Sequence, residues 1–190
     1  MRAAAVRPAS YSEGVSMAKR LRLYRLDQAY AQRLQRADSR VMSVDASLGK
    51  EKRPFVGVVV VHEGGRYCIP LSSPKPKHQR MKSDRDFSKI LDGDGKLIGV
   101  LNFNNMIPVD DTVLVDFDIR PAKGDSASDR AYKELLRDEL AWCNDNRELI
   151  ERKASRLYRI VRETPERYRG LVSRCCDFGR LEEVLKTFRR

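Results

Sequence analysis

The run Phe55-Val56-Gly57-Val58-Val59-Val60-Val61-His62 restricts this chain more than any other stretch. β-Branched side chains lose rotamer freedom in a helix and pack well on a pleated surface, so the run predicts a strand. Glu63-Gly64-Gly65-Arg66 follows, with glycines able to take the positive φ of a tight hairpin turn, and Tyr67 to Leu71 returns as the partner strand. A hairpin this apolar is not stable alone in water and calls for further strands or a helical layer. Leu21 to Leu26 alternates with period two and predicts a strand, after which Asp27 is suited to cap a helix reaching about Ala37, with Tyr30 and Leu34 on one face. Residues 38–52 read as a loop that ends in the basic cluster Lys50, Lys52 and Arg53. Phe87–Leu91, Leu97–Phe103 and Val113–Ile119 bring the strand count to about six, and Asp92 to Gly95 is a turn. Asn102, Asn104 and Asn105 crowd a strand end, where asparagine amides commonly bond backbone groups.

After Pro121 the period changes to helical. Asp125, Ser126 and Ser128 offer caps, and Leu135, Leu136, Leu140 and Cys143 recur on one face. A second stripe runs through Ile150, Ala154, Leu157 and Val161, and Pro165 ends it. A short helix with Leu171 and Val172 comes next, and the chain closes on a helical turn carrying Val184, Leu185 and Phe188. The expectation is an α+β fold of one domain over residues 17–190, β-rich to about 120 and helical over 125–190, with the helices packed on the sheet or barrel. Residues 1–16 are small, polar and aperiodic and are expected to form an extension outside it, with Met17 as an alternative start.

Thirty-eight Lys and Arg against twenty-seven Asp and Glu give a formal charge of +11, which favours a polyanionic partner because phosphate neutralisation releases counterions. No apolar run approaches the roughly 18 residues that span a bilayer, and no signal-peptide core opens the chain. The expected setting is therefore cytoplasmic, without membrane contact, with Cys68, Cys143, Cys175 and Cys176 as free thiols. His62 and His78, sixteen positions apart, start no zinc-binding pattern, and no metal or cofactor is expected. Gly93-Asp94-Gly95 lacks the lysine and hydroxyl of a phosphate loop, and no nucleophile elbow is present.

What remains is Ser72-Ser73-Pro74-Lys75-Pro76-Lys77-His78, read as a loop leaving the edge of the two-stranded ribbon. Two prolines stiffen it and remove two backbone donors. RNA cleavage without metal asks for an acceptor at the ribose 2′-hydroxyl, cations for the charge developing on phosphorus, and a proton for the departing oxygen. Ser73, Lys75 and His78, with Arg53 converging, can fill these roles. An ordinary solvated turn accounts for the same composition equally well.

A longer pattern separates the two. Leu23-Tyr24-Arg25-Leu26, Lys52 to Val58, Tyr67-Cys68-Ile69-Pro70-Leu71-Ser72-Ser73-Pro74-Lys75 and Gly99-Val100-Leu101-Asn102-Phe103-Asn104-Asn105-Met106-Ile107-Pro108-Val109 together resemble the ToxN/AbiQ family, the endoribonuclease toxins of type III toxin–antitoxin systems. The resemblance runs in register from about Leu21 to Ile119. It implies a compact, twisted antiparallel β-barrel related to the MazF and Kid toxins with helices added. It also implies metal-independent cutting that leaves a 2′,3′-cyclic phosphate, and a role in phage defence or plasmid maintenance. The family motif of two hydroxyls, Pro and Lys falls on Ser72, Ser73, Pro74 and Lys75, and the basic residue before the long strand, usually Lys, falls on Arg53. Because arginine stays charged, Lys75 or His78 is left to handle protons. Trp142 matches an aromatic that stacks on RNA, and Lys50, Lys52, Lys77, Arg156 and Arg159 are expected RNA contacts. A tyrosine that some relatives carry before the basic position is missing, with Gly49 falling nearby. The implied partners are cellular or phage RNA as substrate and a small repetitive, pseudoknot-like RNA antitoxin. Such a toxin trims that RNA from its precursor and is held by it in a cyclic assembly. The basic C-terminal third suits such a partner, with thirteen Lys and Arg against seven Asp and Glu over 147–190. A non-catalytic RNA-binding module using the same groove is the competing expectation.

Overall fold

The computed structural model describes residues 20–42, 54–60 and 64–188. Seven strands and six α-helices follow in the order β1 (Leu23–Leu26), α1 (Gln28–Ala37), β2 (Phe55–Val60), β3 (Arg66–Ser72), α2 (Pro76–Arg80), β4 (Phe87–Leu91), β5 (Leu97–Asn102), β6 (Ile107–Pro108), β7 (Leu114–Asp116), α3 (Ala127–Asp145), α4 (Arg147–Glu163), α5 (Arg169–Val172) and α6 (Phe178–Phe188). The expected caps are in place. The Asp27 carboxylate accepts the Tyr30 amide and Ser126 Oγ accepts the Asp129 amide, each satisfying a donor that the first helical turn leaves free. Pro165 lies just beyond α4 and starts a short 3-10 turn, as a residue that cannot continue the hydrogen-bond ladder should.

Among the described residues the strands pair antiparallel throughout, in the order β4-β5-β3-β2-β1-β7, with β6 also on β3. Two expectations change here. The path is open among the described residues, with β4 and β7 as its ends, where a closed barrel was expected. And β3 is no edge: it pairs with β2, β5 and β6, so the Ser72 loop leaves from the interior of the sheet. Burial explains why. Tyr67, Cys68, Ile69, Pro70 and Leu71 are buried without alternation, the pattern of a strand covered on both faces. The last predicted strand is shorter than expected, because only Leu114–Asp116 finds a partner, on β1.

Between Val56 and Val59 the β2–β3 register slips. Gly57 has φ +36° there and donates its N–H to the Arg22 carbonyl at 2.6 Å, a bulge that turns β2 toward the chain entering β1. A Cβ at this position would meet Leu21 Cδ2 at 2.7 Å, so both the angle and the space call for glycine.

The helices close the other side of the core. Tyr67 of β3 packs edge-on against Tyr158 of α4 and Phe178 of α6, with ring centroids 5.7 Å apart in both cases. Tyr67 and Tyr158 both donate their hydroxyls to Glu182 of α6, at 2.7 and 2.9 Å. The asparagines behave as turn residues: Asn104 donates to the Arg174 carbonyl and Asn105 to the Arg40 carbonyl, tying the segment after β5 to both ends of the chain. All four cysteines are buried and unpaired, and no described helix is long and apolar enough to cross a membrane.

The helix α3 packs on β4 and β5. It seats Glu139, 2% exposed, against Gly99 of β5, where any side chain at Gly99 would collide with the carboxyl. Burial, reinforced by the Asp138 charge, pushes Glu139 up to about 8. A carboxyl raised above its unfolded value near 4.5 leaves stability complete below that pH and removes it as pH climbs toward 8. Glu139→Gln should therefore gain on wild type between pH 5 and 8, by up to about 1.4 kcal/mol for each pH unit climbed, measured as the difference in urea unfolding free energies. Parallel stability curves for the two proteins would show that Glu139 ionises as it does in water.

Candidate functional site at the end of the central strand

The site begins where β3 runs out. Ser72 opposes Val100 across the β3–β5 ladder, and Asn102, two residues along β5, lies diagonally on the same face. Asn102 Nδ2 donates to Ser72 Oγ at 3.1 Å. That bond uses the acceptor side of the hydroxyl and leaves its proton free to point outward. In the linear sequence Asn102 reads as a turn former. Its place two residues beyond the partner of Ser72 is the signal that marks it for the site. Ser73 and Lys75 follow and are exposed, Lys75 in extended backbone, with Pro74 half-buried between them.

Residues 76–78, which the sequence places in a rigid loop, belong to the single turn of α2, with Pro76 at the first position, where its missing N–H costs nothing. Lys75 is the residue before it. The His78 amide donates to the Lys75 carbonyl at 2.8 Å, and the Lys75 amide donates to His78 Nδ1 at 3.0 Å. A side chain at the third helical position reaching back to the cap amide is the reciprocal bond of a capping box, here made by an imidazole. His78 is 6% exposed, and its ring packs on Phe87 of β4 at 5.3 Å. Burial, with the positive charges of Lys77, Lys75 and Lys89, holds its pKa below the usual histidine value. An Nδ1 that accepts leaves the proton of the neutral ring on Nε2. His78, expected as a candidate proton carrier, is thus a buried ring whose Nδ1 accepts the Lys75 amide. Lys89 Nζ donates to the Gln79 carbonyl at 3.0 Å, fastening α2 to β4 a second time.

The other predicted residues divide. Lys50, Lys52 and Arg53 lie outside the described residues; Pro54, next in sequence, accepts the Leu71 amide through its carbonyl at 3.1 Å. Lys77 is exposed on α2 beside Lys75. Trp142 is half-buried on α3 and packs against the core. Arg156 and Arg159 are exposed on α4 and line a separate cavity of about 620 Å³. Of the tyrosines among the C-terminal arginines, Tyr158 is committed to Glu182, while Tyr168 lies under the Arg85 guanidinium at 5.2 Å. Among the described residues no three His, Cys, Asp or Glu side chains gather as metal ligands would. Burial pushes Cys175 up to about 12 and Cys176 to about 11, so neither is a ready thiolate.

This arrangement has relatives. A family model of the toxin ToxN of type III toxin–antitoxin systems matches residues 22–186. The chain is 30% identical over 169 residues to endoribonuclease ToxN of Bacillus thuringiensis subsp. kurstaki, covering 84% of this chain and 80% of that protein. It is 24% identical over 171 residues to endoribonuclease ToxN of Pectobacterium atrosepticum, covering 88% and 94%. One similar solved structure, from a study of selective toxin inhibition by a non-coding RNA pseudoknot, superposes with TM-score 0.76 at 28% identity over 90% of this chain and 99% of that one. A second, AbiQ, a lactococcal anti-phage endoribonuclease of the type III systems, gives TM-score 0.74 at 24% identity over 90% and 99% and shares the fold. With the family pattern spanning nearly the whole described chain, the protein belongs to the ToxN toxin family of type III toxin–antitoxin systems.

Proposed function

We propose that this protein is an endoribonuclease that cuts single-stranded RNA through the RNA's own 2′-hydroxyl, without a metal, and is restrained by a small repetitive RNA that it processes. The observation that carries the reading is the Ser72–Lys75 segment, which leaves a fully buried strand and has a tethered residue at each end. Curated relatives are named endoribonucleases, and similar structures come from studies of a toxin inhibited by an RNA pseudoknot and of a processed non-coding RNA that regulates an antiviral system. Phage defence, a repetitive pseudoknot-like antitoxin and a cyclic protein–RNA assembly belong to the same reading.

The chemistry is a transesterification. The 2′-oxygen attacks phosphorus, the bond from phosphorus to the 5′-oxygen breaks, and that oxygen leaves with its electron pair. One proton departs the 2′-hydroxyl and one arrives at the 5′-oxygen, giving a 2′,3′-cyclic phosphate and a 5′-hydroxyl. Ser73 accepts a hydrogen bond from the 2′-hydroxyl and orients it, and the proton leaves to solvent water as the 2′-oxygen bonds to phosphorus. Ser72, its oxygen already occupied by Asn102, donates to a non-bridging phosphate oxygen. The Lys75 ammonium, with three donors, neutralises the developing charge and supplies the proton to the leaving oxygen. Arg53 adds fixed positive charge only, since it does not deprotonate. His78 works at one remove, as the acceptor that aims Lys75.

Protein freed of bound RNA should cut single-stranded RNA in EDTA and leave cyclic-phosphate ends, with Ser73→Ala and Lys75→Ala each slower by roughly a hundred-fold or more, the scale of losing one transition-state donor. A need for added magnesium would overturn the mechanism, and intact RNA after long incubation would leave a binding module. His78 gives a second test. His78→Leu removes the acceptor for the Lys75 amide and should lower kcat about ten-fold or more, as for a buried donor left unpaired. His78→Asn restores an acceptor and should recover most of the loss. Wild-type activity should fall as pH drops below the ordinary histidine range, because the imidazolium cannot accept, and the Asn variant should lack that acid limb. A folded Asn variant as inactive as the Leu variant would make His78 a proton carrier after all.

A further inference from the structure

Beyond the Ser72–Lys75 segment, α4 carries a feature that the cutting chemistry does not use. Two cavities share a wall formed by Lys153 and Arg156. The larger, about 620 Å³, is lined by Arg152, Arg159, Ser155, Glu151 and Leu149, and the smaller, about 280 Å³, by Ser83, Asp84 and Arg85 from the turn before β4. Together they hold five cations and two carboxylates. One carboxylate, Glu151, is tied to Arg147 at 2.8 Å. Arg152, Arg156 and Arg159 are exposed and form no ion pair among the described residues.

Lys153 is what makes this more than a solvated helix face. It is half-buried, and its Nζ donates to the Phe87 carbonyl at 2.8 Å and to Ser88 Oγ at 2.6 Å while lying 5.2 Å over the Phe103 ring. A mobile surface lysine gains little from such contacts; a lysine fixed in the floor of a groove is a preset positive point with one N–H still to give. The groove is also connected to the active segment. Phe87, whose carbonyl holds Lys153, carries on its ring the imidazole that accepts the Lys75 amide. The stretch of chain from Lys75 to Phe87 carries the exposed cations Lys77, Arg80, Lys82 and Arg85. Arg85 rests on Tyr168, and Leu149 is 39% exposed at the far wall, so flat and apolar surfaces alternate with charges as in single-strand binding grooves.

We propose that the groove of Arg85, Lys153, Arg156 and Arg159 is a second RNA subsite that holds the phosphate backbone of an unpaired strand a few nucleotides away from the bond cut at Lys75. This rests on the RNA-cutting reading and adds a prediction of its own: affinity depends on strand length, because only a strand long enough to leave the active segment reaches α4.

The test uses Ser73→Ala protein, to keep RNA whole, with fluorescent oligouridines of four and twelve nucleotides, read by anisotropy over a salt series. The twelve-mer should bind more tightly. Adding Arg156→Glu and Arg159→Glu should remove most of that advantage and lower the magnitude of the salt slope by about 0.7 for each phosphate no longer neutralised. Both side chains are exposed, so the far-ultraviolet circular dichroism should be unchanged. The proposal is overturned if the two lengths bind alike, or if the double substitution weakens both lengths by one factor. It is overturned as well if polyglutamate competes as well as RNA, which would mark a site for acidic protein, or if only a hairpin RNA responds, which would mark a site for folded RNA. The two readings fail separately. Length-dependent binding by a wild-type protein that never cuts leaves the groove and removes the nuclease, whereas cutting with no length dependence does the reverse.

Discussion

β3 governs this structure because it is covered on both faces. Five successive buried residues, Tyr67 to Leu71, leave no solvent side, so the strand has to find neighbours in every direction: β2 and β5 as ladder partners, β6 beside its start, and the helices above. Burying Tyr67 completely also buries a hydroxyl, which costs free energy unless it is bonded. Glu182 supplies the acceptor and is itself shared with Tyr158, so a single polar need on β3 draws α4 and α6 into place. Desolvation, with the Glu182 carboxylate beside it, in turn pushes the Tyr67 hydroxyl far above the usual phenol range, keeping it a donor at every pH the protein meets.

From that strand the site inherits its rigidity. A loop at a sheet edge would have prolines alone to limit its motion. Here Ser72 is still within the ladder, Asn102 holds its hydroxyl from the neighbouring strand, and Lys75 is caught between its own carbonyl and amide by the backbone and ring of His78. Preorganisation of this kind favours a reaction in which charge builds on phosphorus, since the donors need not reorient as it does so. It also divides the labour. Ser73 and Lys75 are exposed, while His78 is buried and Asn102 half-buried behind them.

Much of this is legible in the residues. The β-branched run, the Asp27 cap, the break at Pro165 and the hydroxyl-hydroxyl-Pro-Lys segment each have a local cause, and local causes can be read from a linear string. What the string misplaces depends on contacts between distant positions. It reveals the hairpin but not that β5 and β6 cover β3, because Leu97–Asn102 and Ile107–Pro108 carry no mark of their partner. His78 reads as a candidate proton carrier on a loop, and nothing in its own neighbourhood announces its burial against Phe87, nine residues on. Pro76 is the clue available: a proline at a first helical position makes His78 the third, the one whose side chain reaches back to the cap. The open strand path also follows from partners, since closure would require β4 and β7 to meet, and no residue type requires that.

Net charge, finally, is informative only after subtraction. Part of the arginine on this surface is neutralised locally, Arg22 by Asp116, Arg40 by Asp38, Arg66 by Asp111, Arg120 by Asp118 and Arg174 by Asp86. Such pairs contribute little to stability when exposed, and they cancel in the field that a distant polyanion feels. Among the described cations that form no ion pair are Lys75, Lys77, Arg80 and Lys82 around α2, and Arg152, Arg156 and Arg159 along α4. Those two segments are joined through Phe87, which carries the His78 ring on its own and accepts Lys153 at its carbonyl.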